Sequence, residues 1–402
     1  MKPDSSIADF RKAQYLRSDS VPEEQLNWSE PTIGLFHYRI IVATAILRSH
    51  RQPEGQFSSI QYWIHLLKRN PGMFNFQTQK IKDFRACNQL LEHLSDAHIL
   101  AAIATAWGIT KIDHLRENLR HANWRKLMDR MAEKFSNFDM VQGLREQADE
   151  ERDLIHENAV LFLQHTLIYR RFTEAQSTGD SGYVLFCLKV FTIWFLNTHK
   201  SVSFRSYRRE SLHLMACLKY IWSPEFIKFW MDNCLVNLSG KTTGFMACDL
   251  LCEHVVRECK AKLPKPGTPA MYEFFRDVST REIMVSKDIR DHMIELANTF
   301  CYQHSSSVKA DGDVFLAAQK LLDERVFTHT PGRTQSTHST VPATPAIDMY
   351  HLGLVAIADG KVITDYQQRM YVNTGSESDG NGDIEPFVDE ESVVECLELY
   401  FD

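Results

Sequence analysis

Apolar residues recur at intervals of three and four along most of this 402-residue chain, a period that belongs to helices and not to strands. From Thr78 to Trp107 the spacing runs through Phe84, Cys87, Leu90, Leu91, Leu94, Ile99 and Ile103, and Gly108 supplies a stop. Phe57, Ile60, Trp63, Ile64 and Leu67 repeat the pattern, and Asn70-Pro71-Gly72 closes that helix. Tyr183 to Leu196 is apolar nearly all round, which predicts a helix at the centre of the core. A loop-rich β architecture is disfavoured by only 17 Gly and 13 Pro. The fold class predicted is mainly α: one large multi-helix domain with at most a few short strands.

Further helices are expected over Leu144–Ala175, Glu210–Tyr220, Glu225–Asn233, Met271–Val278, Arg281–Phe300 and Asp313–Arg325. Thr32 to Ile40 reads either as a strand or as the start of a helix reaching Arg48. Residues 1–326 form the helical domain. Residues 327–347 turn to Ser, Thr, Pro and His, a composition that buries little and reads as a flexible linker. Residues 348–402 hold a short ordered patch, expected as a strand or hairpin over Met349–Ile363, and then an acidic, disordered tail.

That tail carries most of the net charge of −7, because Ser376 to Asp402 contains ten acidic residues and no Lys or Arg. Removing those ten from the 52 acids leaves 42 against 45 bases, so the body is near neutral and does not call for a polyanionic partner. Nine cysteines without tight pairs, behind a start that lacks a signal-peptide pattern, point to an intracellular protein of the nucleus or cytoplasm. The most apolar run is interrupted by Lys189 and is too short to span a bilayer, so no membrane partner is expected.

Candidate chemistry is concentrated between Trp230 and Lys262. Gly240 to Gly244 reads as a turn and Phe245 to Lys262 as one helix, with Cys248, Cys252 and Cys259 on its apolar face and Asp249, Glu253 and Lys260 along the edge. The thiols are therefore expected to pack inward, in preference to binding a metal. Asp249 and Glu253 stand one turn apart, where like charges repel. Arg257, a turn further on, and the helix dipole would offset this on a plain solvated face. Alternatively, the two carboxylates would hold a divalent metal and activate water. His37 is a further candidate ligand or base, set against a histidine hydrogen-bonded at the core edge.

Several motifs fail on inspection. Ser239-Gly240-Lys241-Thr242 imitates the end of a phosphate-binding loop, but Leu235 stands where its first glycine is needed. His156 and Glu157 lack a partner histidine at the position of Val160, and the calcium-loop likeness at Asp379 to Glu390 has Ile384 in its glycine position. Phe204 to Arg209 is the best basic and aromatic cluster. Arg205, Tyr207, Arg208 and Arg209 would suit nucleic acid, although helix packing explains them as well.

Taken as a set, six phrases resemble a fungal family, abundant in mushroom-forming species, catalogued as domain of unknown function 6589. They are Gly34-Leu35-Phe36-His37, Asp83-Phe84 with Cys87, Gly179-Asp180 with Gly182, Tyr207 with Glu210, Leu235 to Gly240, and Asp249 through Glu253 to Lys260. The similarity covers residues 7 to 326. Longer members carry Gly-Asp-Gln upstream of the Leu-Phe-His phrase. With it, an Asp, a His and a late Asp-x-x-x-Glu would resemble the acidic set of a transposase-type nuclease. Here Pro3-Asp4-Ser5 stands in that place, so the N-terminus is expected to be shortened relative to the family, with Asp4 as the nearest substitute.

Two functions follow. The first is a non-catalytic intracellular protein or remnant derived from a mobile element, its carboxylates structural and no cofactor bound. The second is a metal-dependent nuclease or transposase-like enzyme in which Asp249 and Glu253 hold Mg²⁺, aided by a third acid such as Asp4.

Overall fold

The computed structural model describes residues 31–57, 59–119, 138–197, 202–262, 310–337, 339–364 and 366, with positions 17, 21, 125, 126, 129 and 132–136 besides. The expected helices at 271–278 and 281–300, the acidic tail beyond 366 and Asp4 lie outside these residues.

The described chain is helical, as its apolar period requires. In order, it forms α1 (Leu35–Ser49), α2 (Ile60–Leu66), β1 (Phe74–Asn75), β2 (Lys80–Ile81), α3 (Phe84–Ala106), α4 (Ile112–Leu119), α5 (Phe138–Arg145) and α6 (Leu154–Thr178). There follow α7 (Ser181–Asn197), α8 (Val202–Ala216), α9 (Pro224–Asn233), β3 (Leu235–Val236), β4 (Met246–Ala247), α10 (Cys248–Lys262), α11 (Ala310–Asp323) and α12 (Met349–Ala358). The four strands make two antiparallel two-stranded pairs, β1 with β2 and β3 with β4. The open choice over Thr32 to Ile40 resolves to helix α1.

Helices α6 and α7 form the centre. α7 packs against α6, α8 and α12, while α6 also meets α1 and α3, and α11 lies along α3. From Val184 to Leu196 the inward residues of α7 are buried, with Phe191 and Trp194 fully enclosed. Tyr38 of α1 joins this core edge-on to Phe172, Phe195 and Tyr207. Its hydroxyl is hydrogen-bonded to Ser211 Oγ at 3.0 Å. Burial raises that phenol well above its ordinary range, so it stays a neutral hydrogen-bonding group.

Helix boundaries follow local chemistry. Asp83 caps α3 through Ala86 N–H, and Asp153 caps α6 through the N–H groups of Ile155 and His156. Gly179, at φ 76°, ends α6 in the left-handed conformation that glycine adopts without penalty.

Two expectations beyond residue 326 are corrected. Met349–Ala358 is a helix, capped by Asp348, and lies so close to α7 that a Cβ on Gly353 would fall 2.1 Å from the Ile193 carbonyl oxygen. A ten-residue stretch that is apolar but for His351 fits either period, and this contact with α7 selects the helix.

The Ser/Thr/Pro segment expected as a flexible linker is instead a strap fastened to the helices. Arg333 binds the buried carboxylate of Asp153 through Nε and Nη2, the latter at 2.7 Å. Thr344 N–H donates to Gln52 Oε1, and Ala346 N–H to Asn158 Oδ1. The segment needs no apolar core of its own, because polar side chains of the helices satisfy its backbone.

The interior also holds histidines. His50 Nε2 and His165 Nδ1 share a hydrogen bond of 2.8 Å, and His98 Nδ1 donates to the Leu94 carbonyl at 2.7 Å. Burial lowers all three, His98 and His165 to about 4 and His50 well below its ordinary value. Glu157, fully buried, is neutralised by Arg145 and Arg152, both at 2.8 Å.

Candidate functional site

The hairpin before α10 confirms the turn at 240–244 but moves the helix start to Cys248, since Met246 and Ala247 pair with β3. Asn237 organises the loop: its Oδ1 accepts from Ser239 N–H and Gly240 N–H, and its Nδ2 donates to the Lys241 carbonyl. Gly240 has φ 65°, a geometry that favours glycine. Those N–H groups are turned inward onto Asn237, which agrees with discounting a phosphate loop here.

Helix α10 then crosses the N-terminus of α1. There the N-cap position is Gly34, which has no side chain to offer the first N–H groups of the helix. Asp249 supplies the cap from across the fold. Its Oδ1 accepts from Phe36 N–H at 3.0 Å, and its Oδ2 from His37 N–H at 3.1 Å and from His37 Nδ1–H at 2.9 Å. Gly34 makes room, because a Cβ on it would lie 2.3 Å from Oδ2. Burial would raise the Asp249 carboxyl. The hydrogen bonds from the His37 ring and from the two backbone N–H groups outweigh burial and hold it below the usual carboxylate range.

His37 is thereby brought between both acids. Its Nδ1 faces Asp249, and its Nε2 lies 3.6 Å from Glu253 Oε1, whose side chain is 53% exposed. Three of the four candidate residues, His37, Asp249 and Glu253, thus meet in one cluster, although 212 positions separate His37 from Asp249. Asp4 is the fourth, and it lies outside the described residues. Arg257, the expected partner of Glu253, contacts His254 Nδ1 instead.

Two of the three thiols go the other way from the expectation, and the third, Cys259, lies outside the described side chains. Cys248 and Cys252 are exposed, and of the acids Asp249 is the one packed against the protein. The orphan N–H groups of α1 place a carboxylate at the interface, and that rotates the Cys248–Cys252 strip outward. Leu250 still packs on the core edge from the neighbouring face.

Metal chemistry was tested on this donor set. Asp249 Oδ2 already accepts two hydrogen bonds and Oδ1 one, all from groups fixed in α1. Three of its four lone-pair sites are thus engaged, one on Oδ1 is open, and Glu253 is the acid free to turn. Among the described residues no three His, Cys, Asp or Glu side chains stand as a ligand group.

The basic cluster on α8 is dispersed. Tyr207 is buried, Arg208 Nη1 donates to the Leu196 carbonyl, and Arg209 pairs with Glu210 at 3.1 Å. Arg205 is the member that points to solvent. A thiol and imidazole pair that the sequence reading did not single out lies at the end of α8: Cys217 Sγ is 3.4 Å from His213 Nε2, and His213 Nδ1 is 3.0 Å from the Tyr366 hydroxyl. With Cys217 only 1% exposed, this pair is part of the packing. The four-residue spacing of His213 and Cys217 was the signal that could have found it.

No helix among the described residues is long and apolar enough to cross a membrane. No curated protein and no solved structure matches the chain. The model of one family matches residues 4–304, three quarters of the length, and includes His37, Asp249 and Glu253. The protein therefore belongs to that family, described as a family of unknown function, DUF6589.

Proposed function

We propose that this chain is a non-catalytic intracellular protein, a remnant of mobile-element ancestry from a fungal source, and that it acts through binding and not through chemistry. The observation that supports this reading is the engagement of Asp249 as the cap of α1. A carboxylate that would ligate Mg²⁺ or position water has three of its four lone-pair sites taken by Phe36 N–H, His37 N–H and His37 Nδ1–H. On this reading the Asp, His and Glu phrases persist because they join α10 to α1. The partners remain unassigned, and the dispersed arginines of α8 give nucleic acid little support.

The competing reading, a metal-dependent nuclease or transposase-like enzyme, is favoured by the meeting of His37, Asp249 and Glu253 beside solvent. It requires Asp249 to surrender the cap of α1. Thermal unfolding in a titration of Mg²⁺ and Mn²⁺ separates the two, with the wild type beside an Asp249→Asn, Glu253→Gln double variant. Non-catalytic function predicts that metal moves neither protein. A saturable rise in Tm confined to the wild type would overturn the reading.

A further inference from the structure

Strands β3 and β4 pair in the register Leu235 with Ala247 and Val236 with Met246. The ladder ends there, because Cys234 takes the helical conformation that closes α9 and gives its N–H to the Trp230 carbonyl, but one more backbone bond crosses the base of the hairpin, from the Cys248 N–H to the Cys234 carbonyl at 3.1 Å. The adjoining partners Leu235 and Ala247 are an antiparallel pair, whose Cα atoms stand about 4.5–5.5 Å apart, and the two cysteines flank them directly. A disulfide needs about 4.4–6.8 Å. Cys248 is exposed and Cys234 half-buried, so one thiol meets solvent and the other waits behind it.

Cys252 lies one turn beyond Cys248 and is also exposed. Neighbours at that helical spacing have Cβ atoms about 5–6 Å apart, whereas a disulfide draws them to about 3.5–4.5 Å. The helical pair would have to unwind α10, and the cross-strand pair would not. Cys87, Cys187 and Cys217 are buried in the core and closed to a dissolved oxidant.

We propose that Cys234 and Cys248 are a reversible dithiol–disulfide site, oxidised by a small disulfide of the glutathione class. The Cys248 thiolate attacks one sulfur of the oxidant, whose S–S bond breaks and releases the first small thiol. Cys234 then attacks the Cys248 sulfur, forms the protein disulfide and expels the second small thiol. The two protons lost by the cysteines end on the two released thiols, so two protein thiols are oxidised as one small disulfide is reduced. Cys234 Sγ now donates to the Met231 carbonyl at 3.5 Å, and rotation about its χ1 frees it for the second step. The bond ties the end of α9 to the first residue of α10, immediately before Asp249. Oxidation therefore bears on the cap that α10 supplies to α1. This inference does not depend on whether the chain is catalytic.

The full chain, reduced and then equilibrated with oxidised glutathione, is digested under acid quench and mapped by mass spectrometry. The expected result is a Cys234–Cys248 cross-linked peptide that dithiothreitol removes, that Cys252→Ser retains and that Cys248→Ser abolishes, together with a higher Tm for the oxidised wild type than for the reduced. A Cys248–Cys252 cross-link in its place, mixed disulfides with glutathione alone, or no loss of thiol in the wild type would each overturn the proposal. The wild-type map needs no variant to fold.

Discussion

Replacing Asp249 by alanine removes the cap of α1 without touching α1 itself. Three hydrogen bonds are lost, two from backbone N–H groups at a helix N-terminus and one from the His37 ring. Substitution of a capping side chain by alanine costs about 0.5–2 kcal/mol, and hydrogen bonds to a charged group run at about 1.5–3 kcal/mol each before losses overlap. The Asp249 side chain is 19% exposed, so water reaches the abandoned N–H groups only in part. A total of about 2–4 kcal/mol follows. Asp249→Asn keeps one acceptor oxygen and loses the charge, which places it at about half of that. Urea unfolding of the three proteins at neutral pH measures both values from midpoints at common slope. The sign with pH is also set: the folded pKa of Asp249 is lowered, so its contribution is full above the unfolded carboxyl pKa and fades as pH falls through the folded one. The wild type and Asp249→Ala should therefore converge in acid. An alanine variant within about 0.5 kcal/mol of the wild type at neutral pH, in the range of an ordinary surface change, would refute the cap.

Gly34→Ala places a methyl 2.3 Å from Asp249 Oδ2 and should cost about 1–3 kcal/mol, as overpacking does. In a double-mutant cycle that cost should largely vanish on the Asp249→Ala background, as unfolding midpoints will show. His98 is held neutral to about pH 4 by burial, so the unfolded chain binds more protons between its ordinary pKa and that value, and stability is lost as pH falls through the window, at up to about 1.4 kcal/mol per unit. His98→Phe, beside Phe162 and Trp63, should flatten that acid limb of the urea midpoint, with His50 and His165 supplying the slope that remains. Arg333→Met leaves the buried Asp153 carboxylate without its charged partner and should cost about 3–5 kcal/mol. Hydrogen exchange should quicken first at Thr330, Thr344 and Ala346.

Much of the architecture was legible because helices announce themselves locally. The apolar periods of α2, α3 and α7 are contained within each segment, and Asn70-Pro71-Gly72, Gly108 and Gly179 mark where chain direction changes. Three features were not legible, for one shared reason: their cause lies far away in the chain. The orientation of α10 is set by the bare N-terminus of α1, and helical spacing within Phe245–Lys262 contains no record of it. The strap at 328–346 is polar in composition, and composition alone reads as unbound when its partners are Gln52, Asp153 and Asn158. Met349–Ala358 is apolar on every side, so no period distinguished helix from strand. The site candidates His37, Asp249 and Glu253 came from resemblance and pattern. Their meeting, with Asp249 capping α1, is visible only in three dimensions.

The bonds between Gln52 and Thr344 span 292 positions of sequence. No early, local event in folding can bring those two amides together; the helices between them must already stand before the strap has a surface to grip. The order of assembly is thereby constrained at its end. Pieces that join last hold least in common with the folding transition state, so loosening them quickens unfolding more than it slows folding. Residues 328–346 thus act as a clasp on kinetic lifetime, a property that an equilibrium measurement of stability would not reveal.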